Sequence, residues 1–313
     1  MNYFKPLIVG IEKFFLSKKE INLFKKNSPI GFILFSRNYK DLSQFKSLIL
    51  QLKLINPFST PIIMIDHEGG RVNRLNKLIN QKKLTAKYFG KLYQNNKKQF
   101  NKELKKFINF NSNLFNYLGI NLVAAPVLDL FYENKSKVIG DRSFSSNPKL
   151  VNLIGSLIIN KYKKNKIKTI SKHAPGHGLA QVDSHFSLPV VNESFSYLNK
   201  NDFRCFNKNK SDFLMTAHIL YKNLDPINLA TFSKIIIDKV IKKKLKYQGL
   251  IMTDDICMNA LTGSIMHRAK KSLEAGCDLV LHCNGNYDEM NTLLVGLPTI
   301  SHKLLKKINK IFN

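Results

Sequence analysis

The chain has few arginines and few acidic residues. Only six of its 50 basic residues are arginine, and 21 acidic residues leave a formal net charge of +29. Bidentate contacts to phosphates and bases favour arginine, so a dedicated nucleic-acid-binding protein should not be so short of it. We therefore interpret the scattered lysines as a solvated surface and expect no specific nucleic acid partner, with polyanion binding as the alternative.

Cysteine is also scarce. The four cysteines, at positions 205, 257, 277 and 283, show neither paired spacing nor a metal-ligand pattern. Their spacing argues against a disulfide framework and indicates a reducing compartment.

Long apolar runs are absent. No segment approaches the roughly 18 uninterrupted apolar residues that indicate a membrane span, and the N-terminus has no cleavage-site pattern. Nor is there a linker-like change of composition, and 44% hydrophobic residues in a 313-residue chain suffice for a large core. We therefore expect a cytoplasmic, monomeric protein that does not bind membranes and forms a single domain over residues 1–313.

Short apolar or β-branched runs alternate with segments of helical length. These segments include residues 41–54, 147–162, 233–245 and 264–275, the longest stretch is 85–118, and a helix is expected after Leu297. Eight such runs predict an α/β fold, a closed (β/α)8 TIM barrel rather than an open sheet. The runs are PLIVGI from Pro6, GFILFS from Gly31, PIIMIDHE from Pro61, NLVAAPVLDL from Asn121, IKTISKH from Ile167, DFLMTAHILY from Asp212, GLIMTDDICM from Gly249 and DLVLHCN from Asp278.

Polar residues able to do chemistry follow the ends of these runs. In (β/α)8 barrels the active site lies at the C-terminal ends of the strands, so this distribution predicts an active site there. Strand ends that simply meet water are the alternative, but they do not explain an acidic pair inside an apolar run. The residues are Asp66, His67, Glu68, Asp129, Lys172, His173, His218, Asp254, Asp255 and His282.

Residues 172–185, KHAPGHGLAQVDSH, bring five ionisable groups to the end of the fifth run. We predict that they form the loop that leaves this strand. The Asp183 carboxylate is close enough in sequence to accept a hydrogen bond from one nitrogen of His185, which would leave the other nitrogen free to donate a proton. A surface turn is the alternative.

Asp254 lies in apolar surroundings, between GLIMT and ICM. A carboxylate in such a place needs a partner or a role, so we predict that it is a nucleophile or a charge stabiliser. Its neighbour Asp255 is suited to cap the following helix.

A metal site is a competing hypothesis for the same residues. His173, His177 and His185, with Asp183 or Asp254, would be a plausible ligand set. However, the Pro/Gly segment around His173 and His177 cannot continue as a helix, so the usual i, i+4 geometry is lost. We therefore expect no metal. The segment APGHG also lacks the length and the Lys-Ser/Thr ending of a phosphate-binding loop.

Two further segments, DHEGGRVNRL (66–75) and GDRSF (140–144), hold three of the six arginines. Asp66 is suited to accept hydrogen bonds from vicinal hydroxyls, and Arg74 to donate them to carboxylate or carbonyl groups. Arg142 is a third candidate for ligand binding. Ion pairing among these residues is the alternative.

Together these segments resemble glycoside hydrolase family 3, in particular its single-domain bacterial β-N-acetylglucosaminidases of peptidoglycan recycling. The resemblance covers most of the chain, and the KH-PGHG segment followed by DSH is its most specific part. The matching segments, in the family's order, are DHEGGRVNRL, NLVAAPVLDL, GDRSF, KHAPGHG with DSH, MTAHILY, GLIMTDDICM and LEAGCDLVL.

The resemblance implies a retaining exo-β-N-acetylglucosaminidase that needs no cofactor. Asp254 would form a covalent glycosyl-enzyme, and His185, oriented by Asp183, would protonate the leaving oxygen and later deprotonate water. The implied substrate is N-acetylglucosamine β-1,4-linked to anhydro-N-acetylmuramic acid, with or without a peptide. The positions that hold the N-acetylglucosamine unit are matched by Asp66, Arg74, Arg142, Lys172 and His173.

The chain departs from the family at a few positions, and two other functions stay open. Ala174 stands where the family usually has Phe, and Ile256-Cys257 replaces Leu-Ser. A histidine acid/base does not repel an anion, so phosphate could replace water and make the enzyme a phosphorylase. A lysine-coated barrel that binds polyanions is the non-enzyme alternative. Because every proposed catalytic position is occupied, we predict hydrolysis.

Overall fold

A computed structural model describes residues 4–58, 60–133, 138–184 and 186–312. The predicted acid/base residue His185 lies outside these ranges. Within them, none of the helices combines the length and the apolar character that crossing a bilayer requires. All four cysteines are free thiols.

Eight parallel strands form a closed barrel, which confirms the predicted fold class. Each strand pairs with its neighbours in chain order, and the last pairs with the first, Val9 lying opposite His282. All eight apolar runs of the sequence supply a strand. The strands are β1 (Lys5–Gly10), β2 (Pro29–Leu34), β3 (Ile62–Ile65), β4 (Leu122–Val123), β5 (Lys168–Ala174), β6 (Phe213–Thr216), β7 (Leu250–Asp255) and β8 (Leu279–His282).

Helices fill the connections between these strands. Most begin at a polar residue whose side chain accepts a backbone N–H of the first turn, such as Asp41, Asn147 or Ser264. The helices are α1 (Lys18–Lys26), α2 (Leu42–Ile55), α3 (Ala86–Asn95), α4 (Lys97–Leu118), α5 (Pro148–Lys164), α6 (Phe195–Lys200), α7 (Asp202–Cys205), α8 (Ile265–Ala275), α9 (Tyr287–Gly296) and α10 (His302–Phe312), with a π-helix at Ile236–Lys244.

The predicted helical stretch 85–118 is two helices rather than one. Asn96 separates them: its backbone N–H donates to Leu92 at the end of α3, and its side chain accepts from Gln99 at the start of α4. A side chain that caps a helix start competes with helix continuation at that position, which explains the break.

Two buried clusters hold the barrel together. One lies between the strands and the surrounding helices. The other draws on all eight strands and includes Leu305 and Ile308 of α10, so we place it in the barrel interior, with α10 against one end. Its strand residues include Ile8, Ile33, Ile62, Met64, Leu122, Ile170, Phe213, Met215, Leu250, Met252, Leu279 and Leu281.

The fourth and fifth strands differ in length from the prediction. The run from Asn121 pairs as a strand only over Leu122–Val123, whereas β5 extends to Ala174. Ala174 lies opposite Thr216, and its carbonyl oxygen accepts a hydrogen bond from Ala217 N at 2.7 Å. The prediction that Lys172 and His173 lie in the following loop is therefore wrong: both are strand residues, and the loop starts after Ala174.

Candidate active site

A cleft with about 800 Å³ of empty space lies at the C-terminal ends of the strands. Six of the eight predicted site residues line the cleft: Asp66, Arg74, Arg142, Lys172, His173 and Asp254. His177, Ser184 and Asp255 complete its polar wall, and apolar residues that include Ile33, Met64, Met215 and Leu281 line the remainder.

Five side chains on one side of the cleft form a continuous ion-pair cluster. Lys172 Nζ lies 2.5 Å from Asp66 Oδ1 and 2.6 Å from Glu68 Oε1. Arg142 donates two hydrogen bonds of 2.8 Å to the Glu68 carboxylate, and Arg74 donates one of 2.8 Å to Asp66. Charges of opposite sign thus alternate from Arg74 to Arg142, so every charge has a counter-charge in contact.

The cluster keeps its members charged. Burial alone would raise the pKa of the Asp66 and Glu68 carboxyls, but the charges of Lys172, Arg74 and Arg142 outweigh burial and lower both pKa values. Likewise, burial would lower the pKa of Lys172, but the two carboxylates raise it. The sequence suggested ion pairing for Arg142 but assigned no role to Glu68, which bridges Lys172 and Arg142.

His173 is held by a buried carboxylate that sequence reasoning left without a role. The Asp129 carboxylate lies 2.7 Å from His173 Nδ1 and also accepts the backbone N–H of His173 at 3.2 Å and of His177 at 2.7 Å. Burial would raise the pKa of Asp129, but His173 and these hydrogen bonds lower it. An ionised Asp129 fixes a proton on Nδ1 and turns Nε2 of His173 towards the cleft. The only sequence signal was the position of Asp129 at the end of the fourth run.

Asp254 faces this histidine at the end of β7. Its Oδ2 lies 3.8 Å from His173 Nε2, and its Oδ1 accepts the backbone N–H of Asp255 at 2.8 Å. Burial would raise the pKa of Asp254, but His173, His218 and the Asp255 N–H lower it. The carboxylate is therefore ionised at neutral pH.

Asp255 does not cap the next helix, contrary to the prediction. Helix α8 starts ten residues further on and is capped by Ser264. The Asp255 carboxylate instead accepts the backbone N–H groups of Cys257 at 3.0 Å and Cys283 at 3.1 Å. It therefore ties the segment after β7 to the end of β8.

The loop after β5 returns to the cleft at Ser184. The carbonyl oxygen of Ser184 accepts a hydrogen bond from Ala260 N at 3.1 Å, and its hydroxyl lies 3.4 Å from His177 Nε2. Asp183 does not line the cleft; its carbonyl accepts the N–H groups of Phe186 and Ser187. Asp183 and Ser184 directly precede His185, which the described ranges omit.

Two glycines allow this loop to pack closely against the barrel. A Cβ on Gly178 would lie 2.3 Å from the Leu130 carbonyl oxygen, and one on Gly176, whose φ is +138°, 2.7 Å from Asp202 Cβ. Of the metal-ligand set considered above, His185 lies outside the described ranges, and the absence of a metal stays a prediction. His173 Nδ1 is engaged by Asp129, and His177 Nε2 faces Ser184.

Comparison with known proteins places this chain in a family. Residues 11–309 match the glycosyl hydrolase family 3 N-terminal domain. The chain belongs to glycoside hydrolase family 3. This confirms the predicted family and the prediction of a glycoside hydrolase.

Individual relatives agree with this assignment. The chain is 34% identical over 261 residues to a beta-hexosaminidase of Hydrogenovibrio crunogenus, covering 81% of this chain and 71% of the relative. The crystal structure of NagZ from Neisseria gonorrhoeae superposes with a TM-score of 0.89 at 28% identity and covers 100% of this chain and 91% of that one. The same protein in complex with N-trifluoroacetyl-D-glucosamine gives a TM-score of 0.88, with the same identity and coverage.

Protonation of His177 should make the protein less stable as pH falls. Burial, reinforced by the charge of His173, lowers the pKa of His177 from its ordinary 6.5 to about 4. Between these pH values the unfolded chain binds a proton that the folded chain excludes, so the free energy of unfolding decreases as pH falls through this window. The full contribution of this one group is about 3 kcal/mol.

Urea unfolding across this pH window measures the effect. His177→Gln should remove this share of the pH dependence, whereas His302→Gln, at an exposed position at the start of α10, should leave it unchanged. A His177→Gln profile parallel to that of the wild type would contradict a neutral, buried His177.

Proposed function

We propose that the chain is a retaining exo-β-N-acetylglucosaminidase that removes N-acetylglucosamine from muropeptides through a covalent glycosyl-enzyme intermediate. One observation carries this proposal: the ionised carboxylate of Asp254 shares a cleft with fixed charges from the segment after β3, from β5 and from Arg142. The family of the chain and the names of its relatives support the same reaction.

Asp254 is the proposed nucleophile. A carboxylate attacks an anomeric carbon only when it is ionised, and the pKa of Asp254 is lowered by His173, His218 and the Asp255 N–H, against the effect of burial. The Asp255 N–H holds Oδ1, which leaves Oδ2 on the side of His173. Attack of this oxygen expels the leaving group and attaches the sugar to Asp254; hydrolysis of that ester restores the original anomeric configuration.

His185, oriented by Asp183, is the proposed acid/base. The resemblance of the DSH segment to the family is the main support. In addition, Ser184, the residue before His185, lines the same cleft as Asp254, and its carbonyl oxygen accepts a hydrogen bond from Ala260 N. His185 would donate a proton to the leaving oxygen and accept one from the attacking water, while the Asp183 carboxylate stabilises the imidazolium.

Asp66, Arg74, Arg142, Lys172 and His173 are the proposed sugar-binding residues. The ion pairs use only part of the capacity of each carboxylate and each cation, since a carboxylate has about four acceptor sites and a guanidinium has five N–H groups. Hydroxyls of a sugar can therefore bind without breaking the cluster. Because its members hold one another in place, little side-chain entropy is lost on binding.

The proposed substrate fits the charge of the protein. The proposed substrates are anions, because they carry a carboxylate on the lactyl group when no peptide is attached and carboxylates on the peptide otherwise. A net charge of +29 increases their encounter rate. No cofactor has a part in the proposed reaction. The monomeric state, the cytoplasmic location and the absence of a nucleic acid partner stay predictions.

Removal of the Asp254 carboxylate should abolish turnover. We expect Asp254→Ala to lower kcat on a chromogenic β-N-acetylglucosaminide by at least about a thousandfold, because the covalent intermediate cannot form. Asp238→Ala, on the surface of the π-helix, is the matched control and should keep wild-type turnover. Turnover by Asp254→Ala within tenfold of the wild type would rule out this nucleophile.

Replacement of His185 should affect substrates according to their leaving groups. A general acid matters most when the leaving oxygen is strongly basic, so His185→Ala should slow an alkyl glycoside far more than a nitrophenyl glycoside. Asp183→Asn should give the same pattern to a smaller extent. Equal losses on both substrates would exclude the acid role, and release of sugar-1-phosphate in phosphate buffer would instead indicate a phosphorylase.

A further inference from the structure

Three side chains of metal-binding type meet beside the β7–β8 end of the barrel, next to the candidate active site. Cys257 follows β7, His282 is the last residue of β8, and Glu289 lies in the first turn of α9. One ligand atom from each, a sulfur, an imidazole nitrogen and a carboxylate oxygen, all lie within 4.8 Å of one another. The glycosidase mechanism uses none of these groups.

We propose that Cys257, His282 and Glu289 form a binding site for one zinc-type divalent cation, a function separate from glycoside hydrolysis. Thiolate, imidazole and carboxylate are the three side-chain ligands that zinc uses in proteins. Harder cations fit less well, since magnesium and calcium prefer oxygen ligands alone. Three protein ligands leave a fourth tetrahedral position for water.

The distances between the ligand atoms are close to those of a zinc site. His282 Nε2 lies 2.8 Å from Glu289 Oε2, and Cys257 Sγ lies 3.9 Å from the same oxygen. Neighbouring ligands around tetrahedral zinc are about 3.3 to 3.6 Å apart, given zinc–ligand distances of 2.0 to 2.3 Å. Zinc binding would therefore require the His282–Glu289 distance to increase, and the Cys257–Glu289 distance to decrease, by roughly half an ångström.

Of these two ligands, only Glu289 has room to make this adjustment. The His282 side chain is fully buried, whereas the Glu289 side chain is 38% exposed, so the carboxylate can shift and a cation can reach the site from solvent. Asn284 Nδ2 donates to Glu289 Oε2 at 2.7 Å and orients it, as outer-shell partners of metal ligands do.

The backbone fixes the other two ligands relative to each other. The Asp255 carboxylate accepts both the N–H of Cys257 and that of Cys283, the residue after His282. The segments that carry the sulfur and the imidazole are thus joined through one side chain before any ion binds. Such preorganisation distinguishes a site from a chance cluster.

Cysteine spacing gave no sign of this site, and we expected no metal from the sequence. The three ligands come from three segments, 25 and 7 residues apart, which the pairing of β7 with β8 and the contact of α9 with the end of β8 bring together. Without a cation, His282 Nε2 and Cys257 Sγ both contact Glu289 Oε2, at 2.8 and 3.9 Å. The two interpretations differ in whether the sulfur binds metal.

Cobalt(II) titration of the full-length protein tests this directly, because a cobalt–thiolate bond gives a charge-transfer absorption in the near ultraviolet. The wild type should bind one equivalent with this band, and zinc should displace the cobalt. Cys257→Ser should lose the band and weaken zinc binding by at least about tenfold, because even loss of an outer-shell partner costs that much. Cys283→Ser alters a neighbouring thiol that is not one of the three proposed ligands, so this variant should keep both the thiolate band and the zinc affinity.

Glu289→Gln provides a second variant that keeps the side-chain volume and should also weaken zinc binding at least about tenfold. Absence of the thiolate band in the wild type would overturn the assignment, as would wild-type zinc affinity in Cys257→Ser or in Glu289→Gln. Zinc binding that is lost in Asp254→Asn but kept in Cys257→Ser would place the cation in the active-site cleft and would also overturn it.

Discussion

The contact of the Lys172 ammonium with two buried carboxylates is the interaction on which the rest of the site depends. Lys172 Nζ lies 2.5 Å from Asp66 and 2.6 Å from Glu68, and so joins the end of β5 to the residues that follow β3. Any one of these charges, left alone in the cleft, would cost several kcal/mol of desolvation free energy. Buried ion clusters of this kind are seldom more stabilising than apolar packing, so its presence points to a role in binding.

The residues of the site are held in place in two ways, some by strand pairing and others by loop packing. Lys172, His173 and Asp254 lie on strands, whose pairing fixes the backbone, and Asp129 orients the imidazole of His173. The proposed acid/base pair belongs to the loop that starts after Ala174. Close packing at Gly176 and Gly178 and the Ser184 hydrogen bond hold this loop, rather than strand pairing. In the proposed reaction the sugar and the nucleophile are thus held rigidly, while proton transfer is assigned to a loop.

Most of the fold was predictable because its signals are local. Each strand is a short apolar run, and helix starts such as Asp41 and Ser264 are capping residues that the sequence displays. The break at Asn96 was missed because the residues on both sides favour helix, and only the side-chain cap on Gln99 separates α3 from α4. Six candidate site residues were found in the cleft because strand ends share one face of a barrel.

The contacts that were not predicted join residues from distant segments of the chain. Glu68 bridges Lys172 and Arg142, and Asp129 orients His173, which are contacts between different strands and loops. Asp255 resembled a helix cap because the hydrogen bond that its carboxylate accepts from Cys283 N, just after β8, cannot be read from its sequence neighbours. The same applies to the proposed metal ligands after β7, on β8 and in α9.

The central claim is that Asp254 becomes covalently attached to the sugar. The most direct test is to incubate the enzyme with a 5-fluoro glycosyl fluoride of N-acetylglucosamine, digest it, and locate the modified residue by mass spectrometry. The account predicts one added fluoro-sugar, on Asp254. Modification of Asp66, Asp255 or any other residue, or turnover of the reagent with no labelled intermediate, would contradict it.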